Sequence, residues 1–194
     1  MTKLGWSILA LILLVGAGFA SLVSIGSSPP TPAITPVAPP SATIAADTAL
    51  PVPVEGVARA ALVDTWGQSR AGGERRHDAI DITAARGTPV IAVTDGRIEK
   101  LFESVDGGHT IYLRTPDGGT IYYYAHLDRY RPGLHEGEAV RRGERIATVG
   151  ATGNASPDAP HLHFSVKRMA AGDGWAAGQA VNPYPLLAEA RASR

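Results

Sequence analysis

The 194-residue sequence contains no cysteine and no excess of charge of either sign. Without cysteine, disulfides, thiolate metal ligands and cysteine nucleophiles are excluded. Lysine plus arginine and aspartate plus glutamate number 18 each, so the formal net charge is zero. The basic excess typical of nucleic-acid-binding proteins is missing, and we expect no nucleic-acid partner. The six histidines are the side chains that titrate near neutral pH.

One long uncharged run occupies residues 4–26. About 20 apolar residues span a bilayer as a helix, so this run is long enough. Because Lys3 precedes it and the next basic residue is Arg59, the positive-inside rule places the N-terminus in the cytoplasm. We predict a single-pass anchor in the inner or plasma membrane, with the remaining chain in the periplasm or outside the cell. The alternative is a cleaved signal peptide, with small residues around Phe19, and a secreted protein.

The rest of the chain divides into a linker and a folded domain. Residues 27–56 hold eight of the fifteen prolines with almost no charge, which favours an extended spacer. Residues 57–194 carry short β-like runs between glycine-containing turns such as Asp95-Gly96. The runs are residues 88–93, 96–102, 109–114, 120–126, 145–150 and 161–166. This spacing predicts a mainly β, compact antiparallel domain, with a short helix after Pro185.

Two pairs of side chains have the spacing of a metal site. His161 and His163 are two residues apart in a β-like run and would share one face. His77 and Asp81 are also an even number of residues apart, so strand geometry would place them on one side. Two histidines and one aspartate suit Zn²⁺ with an open fourth position, but half-exposed strand histidines often have no chemical role. Spacing alone leaves both interpretations open.

Longer motifs resemble a known family, the LytM-type zinc peptidases, also called M23 or lysostaphin-like endopeptidases of bacterial cell walls. The motifs are HDAID at residues 77–81, YYYAHL at residues 122–127 and HLHF at residues 161–164. They are joined by GTPVIAVTDGRI at residues 87–98 and EGEAVRRGERIATVGATGN at residues 136–154. The resemblance extends from residue 64 to residue 166, and the motifs follow the family's order and spacing.

The resemblance implies a site and a substrate. His77, Asp81 and His163 would be the zinc ligands, and His126 and His161 would flank the metal and act in catalysis. The implied fold is an antiparallel sheet crossed by an open groove. The implied substrates are peptidoglycan stem-peptide crosslinks or cross-bridges, cleaved in cell-wall remodelling. The regulatory partner stays unknown.

Some residues depart from this pattern or lie outside it. Ala79 stands where the family most often has glycine, which raises a question about the local backbone or the groove. His109 and His135 lie outside the motifs, in or beside turns, and we expect them at the solvated surface. Alternating tyrosines at residues 122–124 predict that at least one packs in the core.

Two other functions fit parts of the sequence. The first is a non-catalytic activator or binding protein of cell-wall hydrolases on the same fold, although such proteins typically lack ligand residues that are all present here. The second is a biotinyl or lipoyl carrier, suggested by residues 136–147. Carriers need a lysine on the following turn, and the turn at residues 149–153 has none.

Overall fold

The computed structural model describes residues 49–188, which form an antiparallel β structure. Its strands are β1 (Ser69–Arg70), β2 (Arg75–Arg76), β3 (Ile80–Thr83), β4 (Pro89–Ile91), β5 (Gly96–Ser104), β6 (Gly108–Arg114), β7 (Thr120–Tyr130), β8 (Ala139–Val140), β9 (Arg145–Val149), β10 (His161–Arg168) and β11 (Gln179–Val181). Two 3-10 turns, Arg59–Ala61 and Ala71–Gly73, and one short helix, α1 (Tyr184–Ala188), complete the described elements.

A nine-stranded sheet contains every strand except β1 and β2, which pair with each other. Its main order is β11-β10-β7-β6-β5-β8, with β3 paired to β10 and β9 paired to both β7 and β4. All of these pairs are antiparallel. The long strand β7 is central because β10 pairs with its first half and β9 with its second half.

One face of β7 and β10 faces the core. Tyr124 and Phe164 are fully buried, and their rings pack edge to face with centroids 5.2 Å apart. The Tyr124 hydroxyl accepts a hydrogen bond from the backbone N–H of Val93 at 3.1 Å. Because burying a hydroxyl without a partner is costly, this bond allows a tyrosine at the centre of the core. The opposite faces of the same strands are therefore free to form a site.

The six predicted β-like runs correspond to β4, β5, β6, β7, β9 and β10. The mainly β antiparallel class is confirmed. The predicted helix is present, but it begins at Tyr184, one residue before Pro185. Proline is well tolerated in the first turn of a helix, where its missing N–H would have no partner in any case.

The described chain begins inside the segment predicted to be a linker. Val54 is 1% exposed and forms an antiparallel bridge with Val90, while the Leu50 N–H donates to the Leu186 carbonyl at 3.1 Å. Residues 49–56 are thus packed on the domain that was predicted to start at residue 57. Within residues 49–188, no helix is long and apolar enough to cross a membrane. The predicted span at residues 4–26 lies outside the described part of the chain.

Candidate metal centre

Strand pairing places Asp81 opposite His163. Asp81 on β3 is the register partner of His163 on β10, and His163 is in turn the partner of Ala125 on β7. Directly opposed residues of an antiparallel pair have their side chains on the same face within about 5.5 Å. Asp81 and His163 are 82 positions apart in the sequence, and the register of the two strands brings them together.

His77 reaches the same point by a different route from the one that the sequence predicted. It precedes β3 and lies outside any strand, so strand alternation does not place it beside Asp81. Its backbone is held instead by two hydrogen bonds with an upstream loop, from Gly67 N–H to the His77 carbonyl at 2.7 Å and from His77 N–H to the Gln68 carbonyl at 2.9 Å. The expected pairing of His77 and Asp81 is present, but a loop produces it.

The three predicted ligands form a nearly equilateral triangle of donor atoms. His77 Nε2 lies 3.1 Å from Asp81 Oδ1 and 3.1 Å from His163 Nδ1. His163 Nδ1 lies 3.2 Å from Asp81 Oδ1. His77 Nδ1 is 2.8 Å from the Thr65 carbonyl. Since a carbonyl only accepts, Nδ1 carries the hydrogen of neutral His77 and Nε2 presents a lone pair to the triangle.

The triangle fits a tetrahedral metal ion. For metal–ligand distances of about 2.0–2.1 Å, adjacent ligands of a tetrahedron are about 3.3 Å apart. The observed edges of 3.1–3.2 Å agree with that value. Three lone-pair atoms facing one another at these distances repel unless a cation lies between them, and two nitrogens with one oxygen are a borderline donor set that suits zinc. The residues present thus fit the metal that the sequence motif implies.

Asp81 is ionised at the centre of this cluster. Burial alone would raise the pKa of Asp81, but its close contacts with the imidazoles of His163 and His77 outweigh burial and hold the pKa well below its ordinary value. The carboxylate is therefore available as a ligand throughout the ordinary pH range.

His126 faces the groove because β7 contains a bulge. His109 pairs with Leu127 and Ile111 pairs with Tyr124, so Ala125 and His126 together oppose one residue of β6. Tyr124 and Leu127 both belong to the core, whereas Ala125 and His126 line the groove. If side chains alternated strictly along β7, the His126 side chain would point into the core beside Tyr124. The bulge, at which His126 has a positive φ of 58°, redirects it.

The ring of His126 is fixed by one hydrogen bond. Its Nδ1 lies 2.8 Å from the Thr152 carbonyl, so Nδ1 donates and Nε2 carries the lone pair. Burial lowers the pKa of His126 to about 4, against the opposing effect of the Thr152 carbonyl. His126 is therefore neutral at physiological pH.

His161 lies beside His126 and near the triangle. The two rings pack edge to face with centroids 4.9 Å apart, and His161 Nε2 is 3.8 Å from Asp81 Oδ1. His161 Nδ1 donates to the Ala159 carbonyl at 2.9 Å. The structure thus brings all five predicted site residues into one groove, which Tyr123 also lines.

Ala79 lies in the core, and His109 is only partly exposed. Ala79 is fully buried and does not line the groove, so its methyl group leaves the groove unchanged. His109 was expected at the solvated surface and is instead half-buried, because its ring packs on Tyr130 at 5.8 Å. His135 is exposed, as predicted.

The residues that support the ligands are not marked by any spacing in the sequence. Thr65 and Arg70 contact His77 and Asp81 from outside the triangle. They lie 12 and 7 residues before His77, in a loop and a two-residue strand, so no periodicity marks them. The resemblance included this region only as flanking sequence.

Similarity to known proteins covers most of the domain that carries this site. The model of the family described as "Peptidase family M23" matches residues 75–183, more than half of the chain. This chain belongs to peptidase family M23. Like the catalytic domain of lysostaphin from Staphylococcus simulans, it has the M23 fold: the two superpose with a TM-score of 0.54 at 31% identity, over 64% of this chain and 90% of that one.

Curated relatives of this M23 chain have different described activities. The L-Ala–D-Glu endopeptidase of Bacillus subtilis (strain 168) is 33% identical over 129 residues, which are 63% of this chain and 38% of that protein. The murein hydrolase activator NlpD of Escherichia coli (strain K12) is 29% identical over 126 residues, which are 65% of this chain and 29% of that protein. The match spans less than two-fifths of either relative.

Proposed function

We propose that this M23 chain is a zinc metalloendopeptidase that hydrolyses peptide crosslinks of peptidoglycan during cell-wall remodelling. The observation that carries the proposal is the triangle of His77 Nε2, Asp81 Oδ1 and His163 Nδ1, with edges of 3.1–3.2 Å and two further histidines beside it. Membership of the peptidase family and a curated relative described as an L-Ala–D-Glu endopeptidase support the reaction class.

The proposed roles follow from the donor atoms. His77, Asp81 and His163 would hold Zn²⁺, whose Lewis acidity polarises a carbonyl and lowers the pKa of water. The open side of the triangle faces the groove, which leaves room for a peptide.

His126 and His161 would act as general base and general acid. Each is held by a backbone carbonyl at Nδ1, which leaves the Nε2 lone pair free to accept a proton from the attacking water. After this transfer, the protonated imidazole can donate a hydrogen bond to the tetrahedral oxyanion and can then transfer its proton to the leaving amine. A pKa of about 4 keeps His126 in the accepting form at physiological pH.

The test is digestion of purified peptidoglycan sacculi of known crosslink type, with released fragments identified by mass spectrometry. We expect soluble peptides or muropeptides, loss of release with a chelator and recovery with zinc. The matched control is His161→Ala, which should bind zinc and release almost nothing. Intact sacculi in the presence of folded, zinc-loaded wild-type protein would contradict the proposal.

A second candidate is an activator of other wall hydrolases. The similarity to NlpD, which is described as a murein hydrolase activator, favours it. An activator would release nothing from sacculi alone and would increase release by a separate wall hydrolase. It would do so equally well after His161→Ala, which separates the two functions.

We also propose that the protein is exported and held at the cytoplasmic membrane. The uncharged residues 4–26 behind Lys3 support this location, and a peptidoglycan substrate requires export. Fractionation should find the protein in the membrane at full mass. A shorter soluble form outside the cytoplasm would indicate a cleaved signal peptide, and a cytoplasmic protein would contradict export.

A further inference from the structure

We propose that Arg70 and Thr65 are positioning residues that hold His77 and Asp81 in the metal-binding arrangement before the metal arrives. This inference rests on the proposed zinc function. It concerns residues outside the ligand set, which the motif does not contain.

Thr65 forms hydrogen bonds with both His77 and Asp81. Its carbonyl accepts the Nδ1 hydrogen of His77 at 2.8 Å, and its Oγ1 accepts the backbone N–H of Asp81 at 2.9 Å. One half-buried residue therefore sets the tautomer of the histidine and the position of the aspartate backbone. The hydrogen bonds of Gly67 and Gln68 to the His77 backbone hold the same loop against the site.

Arg70 fixes the carboxylate. Its Nη2 donates to Asp81 Oδ2 at 2.6 Å, while the other oxygen, Oδ1, belongs to the triangle. The side chains of Arg70 and Asp81 are 36% and 19% exposed, so water screens the pair only in part. A carboxylate that uses one oxygen for a guanidinium and the other for a metal cannot rotate freely.

Arg70 also lies next to His77. Its Nη2 is 3.2 Å from His77 Nδ1. A guanidinium only donates, so it cannot take the hydrogen of Nδ1, which goes to the Thr65 carbonyl. The two positioning residues thus act together: Thr65 takes the Nδ1 hydrogen and Arg70 occupies Oδ2. The lone pairs of His77 Nε2 and Asp81 Oδ1 are left for the metal.

Loss of either positioning residue should weaken zinc binding separately from any effect on folding. Loss of a residue that orients metal ligands typically weakens metal binding about 10- to 100-fold. We expect Arg70→Met and Thr65→Val each to weaken zinc binding by that factor. Both variants keep the backbone carbonyl, but Thr65→Ser also keeps the hydroxyl that Thr65→Val removes, so its zinc affinity should stay within about threefold of wild type.

The experiment measures the zinc dissociation constant of the full-length protein by competition with a chromophoric chelator. The thermal midpoint of the metal-free protein is recorded for each variant. The matched control is Arg75→Met. Arg75 is the register partner of Arg70 on the same hairpin, and the nearest carboxylate to its guanidinium is that of Asp106 at 3.9 Å. Its removal should leave zinc affinity unchanged.

The outcomes distinguish the inference from the proposed function. Weakened zinc binding in Arg70→Met and Thr65→Val, with metal-free midpoints close to wild type and with Thr65→Ser restored, supports the positioning role. Wild-type affinity in Arg70→Met, or equal weakening in Arg75→Met, overturns the inference and leaves the proposed function standing. A wild-type protein that binds no zinc contradicts the proposed function and the inference together.

Discussion

His126 combines a rare backbone conformation with a buried imidazole. Its φ of 58° is the only positive φ of a residue other than glycine within residues 49–188, and its side chain is among the few buried polar ones there. Such a conformation costs of order 1–3 kcal/mol and persists where surrounding contacts impose it. The bulge, the Gly107 carbonyl that accepts the His126 N–H at 2.8 Å and the Thr152 carbonyl supply those contacts.

The burial of His126 predicts a pH dependence of stability in the metal-free protein. The pKa of His126 is lowered to about 4 in the folded state, against about 6.5 in the unfolded chain. As the pH falls from about 6.5 to about 4, the unfolded chain takes up a proton that the folded protein excludes, so stability falls. The effect amounts to at most about 3 kcal/mol.

The measurement is the free energy of urea unfolding between pH 7 and pH 4 for chelator-treated wild type and His126→Gln. Glutamine does not titrate, so the difference between the two proteins should change with pH by roughly 2–3 kcal/mol. His135→Gln is the control, because His135 is exposed. Parallel curves for wild type and His126→Gln would show that His126 is not buried in the neutral form.

At the scale of elements, two loops hold the bulge in place. The β5–β6 turn and the loop after β9 meet backbone to backbone, with Asn154 N–H donating to the Asp106 carbonyl at 2.9 Å. A Cβ on Gly108 would overlap both the side-chain oxygen and the carbonyl carbon of Thr152. Since Thr152 also holds the ring of His126, this contact connects loop packing to the site.

Gly108→Ala should therefore be far more harmful than alanine at an open glycine. Gly118 has a similar positive φ, 74° against 62°, but nothing lies within 4 Å of the position that a methyl group would take there. We expect Gly118→Ala to cost about 1 kcal/mol from the backbone alone. Gly108→Ala should cost about 2–4 kcal/mol, because displacement of Thr152 adds to the backbone cost.

Urea unfolding of both variants at one pH measures the difference. Release of peptides from sacculi, compared at equal folded protein, should also be lower in Gly108→Ala than in Gly118→Ala. Equal unfolding free energies for the two variants would contradict the close approach of the two loops.

The elements also show what the sequence could predict. Strands β5, β6, β7 and β10 were predictable because period-two patterns and Asp-Gly turns are local signals. The meeting of Asp81 with His163 depends on register between distant strands, which no local pattern encodes. The motif resemblance supplied it. Strand alternation predicted that His77 lies beside Asp81, but a loop rather than a strand brings the two together. Alternation also predicts that His126 points into the core, whereas the bulge in β7 turns it toward the groove.

At the scale of the whole molecule, residues 49–56 pack against the domain and contribute to its core. Val54 belongs to the hydrophobic core, and Glu55 receives two hydrogen bonds of 2.7 Å from Arg145. Prolines at positions 51 and 53 favoured a linker, but a residue next to proline is biased toward extended backbone, which also suits an edge bridge.

This packing predicts that Val54→Ala destabilises the protein by about 1.5–3 kcal/mol, from the lost methyl groups and the cavity left behind. Val63→Ala is the control, because Val63 is 63% exposed and should change stability by less than about 0.5 kcal/mol. Thermal or urea unfolding measures both. Equal, negligible effects would show that residues 49–56 are a spacer after all.

We propose that His77, Asp81 and His163 form a zinc site. The most direct test is the zinc content per chain, measured by elemental analysis after dialysis of wild type and Asp81→Ala against zinc-free buffer. We predict about one zinc per wild-type chain and almost none in Asp81→Ala, since the loss of one of three protein ligands removes the closed triangle. A wild-type protein without zinc, or an Asp81→Ala variant that retains it, would show that these three residues do not form a zinc site.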